Sequence, residues 1–502
     1  MQLIRKFQSG RACKMTHKRS RTKRMLRDTL TGIRAIFQKK LVKNWSSLFI
    51  SMIVSSASSF LCFAILGNKM SIHDYGLFST MIALATTVSV FVNNVFSGIV
   101  INREIAVEPD VARNLLLKFL WVRIIAFLFG TAALFIYTQN DADITRVVFI
   151  SLVVLLSFES FWDLFEQVAF GLKITKCSMI LNVVSAIVWL IAVAVIPSEI
   201  ASIYIVLPTY AFICLSKTLV YGVIDAKITQ KYSCNLSNRP FKYLLFSSMP
   251  YMYNRVLGII SSQLPIILLD GYSGLEETAY YSVGEKFATP ISKLTTVTIS
   301  AVFPFLTRAL KKDHGGTGQI VIKLFQIILS CGACGAFILC STSKLWLVAI
   351  FGEKYAGAVE AFNYQIWYAV IVSVDSVLAM ALSSDFKQKT LSIITTIDAF
   401  VLIPFLYVGI RYGAKGVAMA KLIAAMFCVF YHLFVISRIF SNNYFRWKLL
   451  LSWGIFFVLT CVGSIVKSNV LLAIVAVISL ILTILLNAGD VKKLIHMGKN
   501  SR

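Results

Sequence analysis

Three cations, Arg255, Lys286 and Lys293, stand in stretches of sequence that are otherwise apolar. Lys286 and Lys293 are seven residues apart, so in a helix they share one face. Arg255 falls about twelve residues and Lys293 about fifteen residues into runs long enough to cross a bilayer, which at 1.5 Å per residue puts both near the midplane. A charge at that depth costs on the order of 2.5 to 3.5 kcal/mol on insertion scales, so each needs a partner, water or a task. Grouped in a wet cavity, the three would form a positive patch suited to a pyrophosphate, because charge-assisted contacts to phosphate are strong and a guanidinium can make two at once. The competing reading is neutralisation, with Glu285 answering one lysine and Arg255 meeting a carboxylate elsewhere.

A second set of charges pairs by depth. Lys118 and Glu166 lie about one turn, and Arg123 and Asp163 about two turns, from the same ends of their apolar runs. Antiparallel neighbours would bring each pair together as a structural ion pair, with substrate lining or gating as the rival role. Glu159, one turn deeper than Asp163, has no evident partner and is a candidate for proton coupling. Further polar groups in apolar runs are Asn93, Asn94, Lys217, Asp375, Asp398 and Lys421. Asp375 and Asp398 match in depth and, with Lys323 at similar height, could form a packing network. The 5 histidines are scattered, so no metal site is expected, and no cofactor. Cys331-Gly-Ala-Cys334 has the CxxC form but sits in an apolar run, where it reads better as a small-residue helix face.

Such groups need a scaffold of membrane-spanning helices. With 58% hydrophobic and only 14% charged residues in 502, the chain has too little polar surface for a soluble globule. The net charge of +26 falls mostly between the apolar runs, where it orients a chain in a membrane, so nucleic acid is not an expected partner. About fourteen runs reach the twenty or so residues that a crossing helix needs. Six fall within 45–225, six within 243–438 and a final pair within 447–487, with a loop at 226–242 and tails at 1–44 and 488–502. The apolar piece Leu345 to Ile350 is too short to cross and is expected at the interface. Counting Lys and Arg on alternate loops with the N-terminus inside gives about 34 on the cytoplasmic side against about six opposite, which places both termini in the cytoplasm. No cleavable signal is evident, and the first span should remain as an anchor. The tail before it could bind anionic lipid, or be a disordered extension, with Met15 or Met25 as alternative starts.

Laid over one another at an offset of roughly two hundred residues, the two halves match in order. Tyr75-Gly76-Leu77-Phe78-Ser79 falls opposite Ala279-Tyr280-Tyr281-Ser282, Arg103 opposite Arg308, Lys118 opposite Lys323, and Gly171-Leu172-Lys173 opposite Asp385-Phe386-Lys387. An even number of spans per half gives repeats of like orientation about an axis along the membrane normal, with a binding cavity between them.

From Lys43 onward the chain resembles the Wzx-type O-antigen and capsule-unit flippases, the polysaccharide-transport branch of the multidrug, oligosaccharidyl-lipid and polysaccharide flippases. The resemblance is carried by Asn44-Trp45-Ser46-Ser47, Tyr75 to Thr80, Asn102-Arg103-Glu104-Ile105-Ala106, Tyr281-Ser282-Val283-Gly284-Glu285-Lys286 and Phe303-Pro304-Phe305-Leu306. It implies an all-α polytopic fold of two six-helix lobes plus two helices in the bacterial inner membrane. It also implies an undecaprenyl-pyrophosphate-linked oligosaccharide as cargo, membrane lipid around it, and alternating access without ATP hydrolysis. Polymerase and chain-length proteins of the same pathway would be partners, and in that arrangement Asn93 would face the cavity. The chain departs from the pattern in its long basic N-terminus and in a first span without a cation.

Two other functions compete. A membrane polymerase or glycosyltransferase would need a sizeable extramembrane loop to hold its acceptor, and the loops here are short. No GxxxxGK[ST] motif is present, and the central loop is too small for an ATPase domain. A cation-coupled drug or metabolite antiporter would favour acids in the membrane over the cationic set found here.

Overall fold

A computed structural model describes residues 42–439, apart from 95–97, 140, 173, 233–240, 311–313 and 386. Hydrocarbon offers no partner for a backbone N–H or C=O, so a chain this apolar must satisfy its own, and it does so in helices. They are α1 (Val42–Lys69), α2 (Ile72–Asn94), α3 (Gly98–Val107), α4 (Ala112–Thr138), α5 (Arg146–Gly171), α6 (Thr175–Val195), α7 (Ile203–Thr229) and α8 (Phe241–Ser262). After them come α9 (Leu264–Ser273), α10 (Leu275–Leu310), α11 (His314–Ser341), α12 (Ser343–Phe351), α13 (Val359–Ser384), α14 (Gln388–Gly409) and α15 (Gly413–Ile439). The protein is an all-α, multi-pass membrane protein. Eight stretches of the described residues are long and apolar enough to cross a bilayer, or nine with a bent pair taken as one span. One of the eight, Lys389–Ile436, runs through both α14 and α15. The final pair of expected spans and the basic tail lie outside the described residues.

Where the sequence reads one straight seventh span, the structure bends by 41° between α8 and α9. Pro265 at the start of α9 lacks the N–H that would continue the ladder, which accounts for the break. The apolar piece at 345–350 forms α12, a helix of 9 residues.

Helices α1 to α7 pack mainly on one another, and so do α8 to α15. In the first group α5 is central and touches α2, α3, α4 and α7; in the second α13 is central and touches α10, α11 and α15. Each is the fourth long helix of its group. Trp367 on α13 is fully buried against Phe337 of α11, ring centres 4.9 Å apart at near right angles.

The groups meet along α2 and α10. At the end of the bundle that carries Asp141, Asp143, Asp270, Glu276 and Glu277, here called the acidic face, the seam is tight. A Cβ on Gly76 would stand 2.1 Å from the Leu275 carbonyl oxygen, so only glycine fits. Tyr75 lies edge-on to Tyr355 at 5.9 Å, and Phe60 of α1 to Phe287 of α10 at 5.0 Å. Lys354 of the second group donates from Nζ to the carbonyls of Asn68 (2.9 Å) and Met70, closing the C-terminal end of α1 where a cation is favoured. Toward the opposite, basic face the seam runs through α8, whose Leu244 packs with Val100, Ile101 and Ile105. There Arg103 Nη2 reaches Tyr243 Oη at 3.4 Å.

Candidate functional site

Asp163 of α5 is the hub of a charged group between the two helix sets. Its Oδ2 accepts from Arg123 Nη2 of α4 at 3.2 Å, while Arg123 Nη1 donates to the Ser160 carbonyl at 2.7 Å. Its Oδ1 faces Arg255 Nη2 of α8 at 3.7 Å. The two arginines differ in setting: the Arg123 side chain is 1% exposed and that of Arg255 is 48% exposed. Gly98 lets α3 pass over the carboxylate, for a Cβ there would stand 2.8 Å from Asp163 Oδ2 and 2.5 Å from Gln167 Cγ. The Arg123–Asp163 pair forms as its matched depth requires. Arg255 was read as a member of a lysine patch, with a carboxylate partner as the rival; it meets that carboxylate, on the other helix group.

Lys286 and Lys293 both lie on α10. Lys286 Nζ crosses the seam to lie 3.8 Å from the ring centre of Phe63 on α1, a cation–π contact. Lys293 is exposed and close enough to Lys286 for the two charges to oppose one another. Glu285 lies within electrostatic reach of Lys286 and of the buried Lys421, whose Nζ binds Tyr281 Oη at 2.8 Å.

Other expected contacts are arranged differently. Lys118 and Glu166 form no ion pair among the described residues: Lys118 is exposed, and Glu166 Oε1 accepts from Ser178 Oγ of α6 at 2.5 Å. Their depths match, but they leave their helices in different directions. Asn93 is buried and donates from Nδ2 to the Glu159 carbonyl at 2.7 Å, so it ties α2 to α5. The Glu159 carboxyl lies in the field of Lys217, whose Nζ donates to Asn182 Oδ1 at 2.6 Å and sits 3.7 Å from the Trp162 ring centre.

In the second helix group Asp375 and Asp398 do share a network, and it centres on His432 of α15, a residue that sequence reasoning set aside. His432 Nδ1 faces Asp375 Oδ1, and Nε2 faces Asp398 Oδ1 at 2.9 Å. The signal was rough depth: counted from the acidic-face ends of their helices, the three lie about three to five turns in. Among the described residues this is the group of His, Cys and carboxylate side chains whose ligand atoms come close together, within 4.8 Å of one another. At the acidic face a cleft of about 780 Å³ is lined by His73, Asp141, Asp143, Asp270 and Glu276, with His73 Nε2 3.6 Å from Asp143 Oδ2.

The described residues thus define a multi-pass bundle of apolar helices in two groups, with charged side chains where the groups meet. The chain belongs to the polysaccharide biosynthesis protein family, whose model matches residues 41–310. It is 23% identical over 330 residues to the capsular polysaccharide biosynthesis protein CapF of Staphylococcus aureus, covering 63% of this chain and 78% of that one. Its fold is similar to that of the lipid II flippase MurJ in an inward closed conformation, with a TM-score of 0.62 at 15% identity over 90% of this chain and 100% of that one. It is also similar to an inward-facing multidrug resistance transporter of the MATE family, with a TM-score of 0.55 at 13% identity over 79% of this chain and 99% of the other.

Proposed function

We propose that the protein is a flippase. It moves an undecaprenyl-pyrophosphate-linked oligosaccharide unit from the cytoplasmic to the outer leaflet of the bacterial inner membrane, for O-antigen, capsule or exopolysaccharide synthesis. In this reading 45–225 and 243–438 are the moving lobes, the basic face and both termini are cytoplasmic, and pathway polymerase and chain-length proteins receive the product. No catalytic residue is assigned.

The observation that carries the reading is the loose bond between Arg255 and Asp163. A guanidinium has five N–H donors, and the half-exposed Arg255 places one of them at a long 3.7 Å from its acid. Among the described residues the remaining donors have no hydrogen-bond partner, which leaves them able to bind a pyrophosphate, with Lys293 and Lys286 of α10 as further positive charge. Asp163 keeps Arg123 when Arg255 leaves, so the exchange strands no buried carboxylate. Because Arg255 belongs to one helix group and Asp163 to the other, anion binding would loosen a contact between lobes. Energetically this is how a cargo can shift a two-state equilibrium, through contacts that differ between the states. Glu159, in the field of Lys217, is held as a candidate for proton coupling in the first lobe.

Complementation of a flippase-deleted strain tests this, with wild type, Arg255→Ala and Lys293→Ala compared at equal protein level. Restored surface polysaccharide in wild type and its loss in the variants is the expected result. Full function of both variants would sink the cationic site, and failure of wild type with every sugar unit tried would sink flipping.

A further inference from the structure

Asp375, His432 and Asp398 come from three different helices, α13, α15 and α14, and are not used by the anion site. The arrangement constrains the protons. A neutral imidazole has one N–H and one lone pair, whereas an imidazolium has two N–H donors. Both His432 nitrogens face carboxylate oxygens, so with both acids ionised both nitrogens must donate, and the ring is a cation with net charge −1 over the three groups. His432 is sealed, its side chain 5% exposed, while those of Asp375 and Asp398 are 31% and 27% exposed. The proton is thus held on a buried ring between two carboxylates that are themselves partly exposed.

We propose that this triad is a proton-binding site in the second helix group, separate from Glu159, and that its proton is coupled to the movement of the lobes. Loss of H⁺ from the imidazolium, passed through a carboxylate to water, leaves one N–H for two acceptors. One carboxylate then faces a lone pair, the net charge of the triad goes from −1 to −2, and α13 and α14 are no longer both held to α15. Proton uptake restores both bonds. Of the described titratable groups around it, Tyr368 of α13 lies in the field of both carboxylates, and Cys428 of α15 is hydrogen-bonded to Asp398. The Tyr431 ring stands edge-on to His432 at 6.2 Å, and Tyr253 of α8 bonds Thr396 of α14 at 2.6 Å. Lys421, about three turns earlier on α15, is taken by Tyr281 and lies in the field of Glu285 of α10, and Lys389 on α14 is exposed. Among these groups, His432 is the charge placed to neutralise the two acids.

The assignment to coupling rests on the flippase reading; proton binding does not, and its test uses no cargo, so the two can fail separately. The full chain, ring-labelled at histidine with ¹³C and ¹⁵N, is reconstituted in lipid and titrated by infrared difference spectroscopy. Wild type should show one histidine titration that is missing in His432→Gln. In Asp375→Asn, which keeps side-chain volume, that titration should move to lower pH by about one unit or more, because a stabilising negative charge is gone. A His432 signal with the same midpoint in wild type and Asp375→Asn would overturn the proposal. So would bands of the wild type, but not of His432→Gln, that shift on adding Na⁺, Mn²⁺ or Zn²⁺ at constant pH, since the site would then take a metal ion. Should His432→Gln fail to fold, Asp375→Asn and Asp398→Asn carry the same comparison.

Discussion

The two helix groups each hold a charged triad, and the triads are inverses of one another. In the first group, completed by one residue from the second, a carboxylate sits between two guanidinium groups: Arg123, Asp163 and Arg255, net +1. In the second, an imidazolium sits between two carboxylates: Asp375, His432 and Asp398, net −1. A triad with surplus positive charge has donors left over and attracts an anion; two carboxylates on one imidazole, −2 without a proton, hold the proton that brings the group to −1. They also differ in reach. The positive triad spans the seam between the groups, so whatever displaces Arg255 acts on their separation. The negative triad lies within one group and acts on how its own helices pack.

The largest effect should come from removing the hub. Asp163→Ala leaves Arg123 buried without its carboxylate, which costs about 3 to 5 kcal/mol. Thermal melts in detergent should fall sharply and membrane levels should drop; a melt like that of wild type would mean that water or another acid replaces Asp163. Next comes Arg255→Glu, which turns the positive triad negative. Its residue is half exposed, so stability should change by less than about 1 kcal/mol. Surface polysaccharide in the complementation assay should nevertheless fall by about tenfold or more, as a lost charge-assisted phosphate contact requires. Retained function would break the link between the triad's sign and the cargo.

Lys354→Met comes third, since it removes the ammonium that closes the end of α1 while keeping much of the side chain. A helix-terminus cation of this kind contributes about 0.3 to 1 kcal/mol, so the variant should fold, with the acidic-face seam open more of the time. Cysteine labelling at the seam from outside would rise severalfold, and unchanged labelling would show that aromatic packing around Tyr75 closes it alone. The smallest effect belongs to Lys118→Ala. With Lys118 exposed and Glu166 bonded to Ser178, stability should move by no more than about 0.5 kcal/mol.

How far the sequence foretold these sites follows from helix geometry. Depth along a span is linear in residue number, at 1.5 Å per residue, so Arg123 and Asp163 could be paired from position alone. Direction around the helix turns by 100° per residue and depends on how each helix is rotated against its neighbours. Lys118 and Glu166 match in depth and miss in direction for that reason. The Arg255–Asp163 contact needed the packing of α8 against the first group, which no local pattern encodes. His432 was readable in depth, but one histidine among scattered ones gains meaning only when α15 is placed between α13 and α14. That the helices pack in two groups was legible because it rests on the order of many residues, none of which had to be right alone.

The central claim is that the positive triad recognises a pyrophosphate on a lipid. Native mass spectrometry of the full chain in nanodiscs doped equally with undecaprenyl pyrophosphate and undecaprenol tests it most directly. Wild type should retain the pyrophosphate in clear excess, and Arg255→Ala should lose most of that excess. Equal retention of the two lipids by wild type would contradict the account.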